Sequence, residues 1–103
     1  MANYVLAYRG GAMAATPEEQ KKAMDAWTGW FGSLGDAVVD GGAPFGPSSS
    51  IAADGSASDG GASALTGYSI LSAASMADVQ TLAKGCPVLA SGGTIEVYES
   101  LPM

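Results

Sequence analysis

The sequence contains no histidine, a single cysteine and only four basic residues among its 103 residues. The lack of histidine excludes catalytic and metal-binding arrangements built on imidazole, including Cys/His zinc sites. One cysteine cannot form an internal disulfide, and Cys86, just past a predicted helix, suits a buried structural thiol. A calcium loop beginning at Asp54 would need glutamate at its twelfth position, which is Leu65. We therefore expect no metal and no cofactor.

The charge is strongly acidic, with ten acidic residues, four basic residues and a formal net charge of −6. Because binding to phosphate requires a basic patch, nucleic acid and anionic membrane surfaces are disfavoured as partners. No apolar run reaches the roughly 18 residues of a membrane span. The N-terminal segment lacks the positively charged n-region of a secretory signal peptide. These features predict one soluble, cytoplasmic domain over residues 1–103.

The best-defined element is a predicted amphipathic helix over residues 16–35. Thr16 is placed to cap its first turn, Pro17 suits the first helical position, and Glu19 completes a capping box. Gly35 is placed to cap the other end. The apolar stripe of this helix consists of Ala23, Met24, Trp27, Trp30, Phe31 and Leu34.

Alternating or β-branched segments predict strands over residues 3–9, 37–40, 67–74 and 94–99. A second helix should begin after Ser75 and end before Gly85, and residues 88–90 suit a short connection or an edge strand. Between them, Asp54-Gly55 predicts a small hairpin of residues 50–53 and 56–58, followed by a loop around Asp59-Gly60-Gly61. The alternative for residues 43–64 is disorder, because this segment is rich in Gly, Ser, Ala and Asp.

The order of these elements predicts an α+β fold with a ferredoxin-like βαββαβ plan, an inserted hairpin and an antiparallel sheet. Both helices would cover one face of the sheet. The other face would then expose Val5, Ala7, Leu71 and their neighbours. A homodimer that joins two such faces would bury this apolar surface.

Several segments resemble the YCII-related (DGPF-type) family: YVLAYRGG at the start, W-x-x-W-F-x-x-LG in the helix, VVDGGAPFGP, GYSIL, and AKGCPVLASGGTIEVYE near the end. The resemblance covers essentially the whole chain. It implies a ferredoxin-like protomer that pairs into a dimeric α/β barrel, with a pocket between sheet and helix. Most members have no assigned activity, and a few related barrels act on small lactones or aromatic acids.

The chain departs from the family at the His-Asp pair that some members carry. The family's helix histidine would fall near Trp27, and its partner carboxylate would fall near Arg9-Gly10, where this chain has no acidic residue. The DGPF signature is also missing, because the comparable stretch reads DGSASDGG.

Two polar residues are candidates for a site. Asp40 follows a predicted strand and precedes Gly41-Gly42, so it could act as a general base or simply hold a turn. Arg9 is the only arginine; it could clamp a ligand carboxylate, or pair on the surface with Asp40 or Glu96.

An aromatic wall is the other candidate feature. Trp27 and Trp30 lie three residues apart on the apolar face of the helix, a spacing typical of either core packing or an aromatic pocket. Tyr8, Phe45 and Tyr68 could complete the wall. Together with Arg9, these aromatic residues form the predicted ligand-binding set.

Three functions fit these features. The first is a homodimeric protein that binds a small organic ligand or assists another protein, without chemistry of its own. The second is an isomerase or lyase acting on a lactone or aromatic acid, with Asp40 as base and Arg9 as anchor. The third is a regulatory partner of another protein. We favour the first, because the usual catalytic histidine is absent.

Overall fold

A computed structural model describes residues 1–11, 16–60 and 65–102. The strands are β1 (Ala2–Arg9), β2 (Val38–Asp40), β3 (Ser49–Ile51), β4 (Ala57–Asp59), β5 (Leu65–Ala73) and β6 (Thr94–Ser100). The helices are α1 (Pro17–Leu34), α2 (Met76–Ala83) and α3 (Pro87–Ala90), and a 3-10 turn, Gly35–Ala37, leads into β2. The predicted lead-in to the helix at residues 12–15, and Gly61 of the predicted loop, lie outside the described residues.

Four strands form the main sheet in the order β2-β5-β1-β6, with every neighbouring pair antiparallel. In the register of this sheet, Leu6 lies opposite Ser69 on one side and Val97 on the other. β1 is paired along both of its edges, and four of its eight residues are buried. The prediction of an α+β fold with an antiparallel sheet is confirmed.

The helix α1 begins and ends at the residues that the capping signals indicate. The Thr16 hydroxyl accepts a hydrogen bond from the Glu19 backbone N–H at 3.1 Å, and Pro17 is the first helical residue. At the other end, Gly35 has a φ of 56° and donates its N–H to the carbonyl of Phe31. These caps satisfy backbone groups that a helix end otherwise leaves unpaired.

The core lies between the sheet and the helices. From the sheet it receives Tyr4, Leu6, Tyr8, Leu71 and Ala73, and from the helices and the turn before α3 it receives Trp30, Val79, Ala83, Cys86 and Val88. Within α1, Trp30 is the only buried residue, and its indole N–H donates to the carbonyl of Leu82 at 3.1 Å. This bond ties α1 to the end of α2. The smallest dimension of the molecule, 18 Å, corresponds to one sheet layer and one helix layer.

The opposite face of the sheet differs from its prediction at two residues. Ala7, which was predicted to be exposed there, is buried at 8% exposure. Leu71 pairs with Tyr4 and is 0% exposed, so it belongs to the core. Its assignment to the uncovered face was therefore wrong. Ile70 takes that place, in register with Val5, and both are partly exposed. The cause is strand alternation: the face of β5 is fixed by its register with β1, and adjacent residues point to opposite faces.

Residues 87–90 form the single turn of α3. Of the two alternatives for residues 88–90, the edge strand is wrong, and the short connection takes the form of this turn. Pro87 occupies the first helical position, where its missing N–H costs nothing, and the carbonyl of Val88 accepts from Ser91 and Gly93.

The hairpin in the polar segment is present as β3 and β4, which form a separate two-stranded sheet. The Asp54 carboxylate accepts hydrogen bonds from the hydroxyl and the backbone N–H of Ser56, and these bonds lower the pKa of Asp54. Gly55 follows with a φ of 89°, which favours glycine. All residues of both strands are exposed.

Candidate functional site

A cavity of about 760 Å³ lies between α1 and one end of the sheet. The helix contributes Ala23, Met24, Trp27, Thr28 and Phe31 to its lining, and the ends of β1 and β5 contribute Tyr8, Thr66, Gly67 and Tyr68. The connection after β2 adds Gly41, Gly42, Ala43, Pro44 and Phe45. This volume is within the range of natural small-molecule sites.

The cavity remains open because α1 packs tightly only towards its C-terminal end. There, Trp30 is 7% exposed, whereas Met24, nearly two turns earlier, is 70% exposed. The facing wall cannot fill the gap with side chains, because much of it is glycine: Gly10, Gly11, Gly41, Gly42 and Gly67. The apolar stripe of α1 is therefore exposed at its first two members, Ala23 and Met24.

Close backbone contact fixes the wall formed by the connection after β2. A side chain at Gly42, whose φ is 78°, would overlap the carbonyl of Tyr68. Asp40 holds this bend, because its Oδ1 accepts the Gly42 N–H at 2.8 Å. Further along, the Phe45 N–H donates to the carbonyl of Thr66 at 2.9 Å, which fixes the end of the bend against β5.

Two groups of aromatic rings line the cavity. In the first, the Trp27 ring lies 5.3 Å from Tyr8 in an edge-to-face arrangement and 5.8 Å from Phe31. In the second, Phe45 stacks on Tyr68 with ring centroids 5.8 Å apart and planes inclined by 20°. These geometries are the favourable ones for aromatic pairs, so the rings hold one another in place.

The Tyr8 hydroxyl lies on the buried side of its ring. Tyr8 is 4% exposed, and its hydroxyl has no hydrogen-bond partner. Ser69 and Cys86 are its polar neighbours, and the Ser69 hydroxyl donates to the carbonyl of Gly41 at 2.8 Å. Burial raises the pKa of Tyr8 well above its usual value, and burial likewise raises the pKa of the Cys86 thiol.

The structure brings together four of the six predicted ligand residues: Tyr8, Trp27, Phe45 and Tyr68 all line the cavity. The other two lie elsewhere. Trp30 belongs to the core, and Arg9 Nε lies 3.6 Å from Glu96 Oε1 in an ion pair.

Asp40, the predicted base, lies beside the cavity and is not among its lining residues. Both of its carboxylate oxygens accept hydrogen bonds: Oδ1 from Gly42, and Oδ2 from the Tyr68 hydroxyl at 3.2 Å. The bond to Asp40 raises the pKa of Tyr68. The observed role of Asp40 is to position the bend and the Tyr68 phenol.

The sequence analysis missed several lining residues, among them Phe31, Thr28 and Thr66. Phe31 could have been found, because it lies four residues after Trp27 and so shares its helix face. Thr66 gave no such signal, since its place depends on the pairing of β5 with β1.

No charged side chain of the described residues lines the cavity. In residues 1–11, 16–60 and 65–102, no group of three or more His, Cys, Asp or Glu side chains could hold a metal ion. None of the helices in these ranges is long and apolar enough to cross a membrane. The chemistry that the lining can offer is therefore aromatic contact and neutral hydrogen bonding.

Comparison of the chain with family models, with curated proteins and with solved structures found no match. The resemblance to the YCII-related family therefore stays a prediction.

Tyr8→Phe should leave the free energy of unfolding at pH 7 unchanged or raise it by about 1 kcal/mol, because it removes an unpaired buried hydroxyl. The native protein should lose stability above about pH 10, where the unfolded chain releases the Tyr8 proton and the folded chain retains it. Tyr8→Phe should lose less in this range. Urea denaturation between neutral and alkaline pH measures both effects.

Tyr98→Phe is the matched control, because the Tyr98 phenol is exposed and bonds to Glu96. Tyr98→Phe should lose nearly as much stability at alkaline pH as the native protein does. A Tyr8→Phe protein that is clearly destabilised at neutral pH would show that the hydroxyl has a partner in solution.

Proposed function

We propose that this protein is a homodimer that binds a small organic molecule in the aromatic cavity, as a ligand-binding or accessory protein without chemistry of its own. The observation that carries the proposal is the cavity of about 760 Å³, lined by two ordered groups of aromatic rings and by no charged side chain of the described residues. Large apolar cavities with a few polar groups are the usual form of small-molecule sites.

A ferredoxin-like protomer of the YCII-related type is part of this proposal. Its support is the strand order β2-β5-β1-β6, which leaves the hairpin of β3 and β4 outside the main sheet as an insertion. A cytoplasmic location is also part of it, supported by the buried, unpaired Cys86, which suits a reducing compartment.

The support for a homodimer is the amount of exposed surface. The protein exposes 6914 Å², whereas a compact monomer of its mass, 10.2 kDa, exposes about 5,300 Å². A standard interface covers about 800 Å² on each partner, so the excess is large enough for one. The face that carries Val5 and Ile70 is the part of the main sheet that lies away from the helical core.

Sedimentation equilibrium tests the dimer. The native protein should sediment at about twice its protomer mass of 10.2 kDa. Ile70→Lys, which places a charge on the face away from the helices, should dissociate it to monomers, because an unpaired buried charge is unfavourable. Met76→Lys makes the same charge change on α2, where Met76 is 37% exposed, and should remain dimeric.

A folded native protein that sediments as a monomer at every concentration would contradict the homodimer. An Ile70→Lys protein that remains dimeric would assign the interface to another surface.

The enzymatic alternative, an isomerase or lyase with Asp40 as base, has less support. Asp40 lies outside the lining, and donors already occupy both of its oxygens. Arg9, the predicted anchor for a substrate carboxylate, lies in an ion pair with Glu96. This arrangement favours binding over catalysis.

Fluorescence titration tests the ligand site. The uncharged dye nile red should bind to the native protein and gain fluorescence, because contact with the aromatic lining moves the dye out of water. Trp27→Ala removes the ring that contacts both Tyr8 and Phe31 and should weaken binding by about tenfold or more. Met76→Ala, on α2 and outside the lining, is the control and should bind as the native protein does.

Failure of the dye to bind to folded native protein would contradict the site. Equal binding to the native protein and to Trp27→Ala would place the dye elsewhere.

A further inference from the structure

We infer that the cavity selects an uncharged aromatic molecule that presents hydrogen-bond donors, such as an aromatic amide, and that it rejects the matching carboxylate. The inference rests on the proposed function, because it names the ligand class of the same cavity. A cavity with this selectivity differs from a site that binds aromatic acids.

The basic side chains lie outside the lining of the cavity. The chain has four basic residues, and none of Arg9, Lys21, Lys22 and Lys84 lines the cavity. Arg9 is already paired with Glu96. A carboxylate that entered the cavity would lose hydration without gaining a positive partner, which is strongly unfavourable.

Three hydroxyl groups at the lining donate their hydrogens to acceptors of the protein. The Thr66 hydroxyl donates to the carbonyls of Tyr8 and Gly10, the Ser91 hydroxyl donates to Val88, and the Tyr68 phenol donates to Asp40. A hydroxyl that has given its hydrogen to the protein can only accept from a ligand. These three groups therefore favour a ligand with N–H or O–H donors and oppose a carboxylate, which has acceptors alone.

A negative charge lies beside the second group of rings. The Asp40 carboxylate accepts from Tyr68, whose ring stacks on Phe45. A bound anion on this side would be repelled by Asp40, whereas the N–H groups of a neutral amide would be attracted. The net charge of −6 of the whole chain further disfavours the binding of an anion.

Isothermal calorimetry with two probes of the same shape tests the inference. The probes are naphthamide and naphthoate, substituted at the same ring position, at pH 7. Naphthamide should bind, and naphthoate should bind at least about tenfold more weakly. The reason is that the cavity offers no cation to the carboxylate, and the carboxylate offers no hydrogen-bond donor to the cavity. Backbone amide shifts of Gly41 and Gly67 in native protein should report the binding of naphthamide, since both residues line the cavity.

A pair of charge variants sharpens the test. Thr28→Lys adds a cation at the lining and should bring the affinity for naphthoate to within about threefold of that for naphthamide. Gln80→Lys makes the same change in net charge on α2, outside the lining, and should keep the selectivity of the native protein.

Native protein that binds naphthoate as tightly as naphthamide, with shifts at Gly41 and Gly67, would overturn the inference and leave the proposed binding function standing. Gln80→Lys that relaxes selectivity as much as Thr28→Lys would also overturn it, because net charge would then be the cause. Failure of both probes to bind, together with failure of nile red, would overturn the proposed function itself.

Discussion

The structure depends on the anchoring of α1 through the side chain of Trp30. This residue fills the space above the sheet, and its indole N–H reaches the carbonyl of Leu82, so one side chain joins the long helix to both the core and α2. Because the anchor is in the second half of the helix, the first half stands away from the sheet. The gap that remains is the aromatic cavity.

The cavity and the bend after β2 both depend on glycine residues, which have no side chain. Glycine occupies the positions where the backbone comes closest, most clearly at Gly42 against Tyr68. These glycines let the chain turn tightly, and they leave nothing to fill the space that α1 does not cover. Asp40 contributes by holding the bend and the Tyr68 phenol, so its place beside the cavity has a structural explanation.

Much of the fold could be predicted from local signals. Thr16, Pro17 and Gly35 define the ends of α1 because capping chemistry acts within one turn, and Asp54-Gly55 defines the hairpin for the same reason. The face of Leu71 could not be fixed in this way, because it depends on the register between strands that are far apart in the sequence.

The difference between local signals and long-range packing also applies to the predicted site. Helical spacing and positions near strand ends predicted a set of five aromatic residues, and four of the five line one cavity. The rings of Trp27 and Trp30 contact each other, with centroids 5.8 Å apart, yet only Trp27 lines the cavity. This difference could not be predicted, since both residues lie on one helix face. Only the tertiary packing decides which ring enters the core. Likewise, the pairing of Arg9 with Glu96 depends on the alignment of β1 with β6.

The most direct test of this account is hydrogen exchange at the two indole N–H groups, measured by NMR in the native protein. The Trp30 indole donates to Leu82 within the core and should exchange only on unfolding. The Trp27 indole, which donates to no acceptor among the described residues, should exchange much faster and slow when naphthamide binds. Equal and strong protection of both indoles in the free protein would contradict the account, because α1 would then be packed along its whole length.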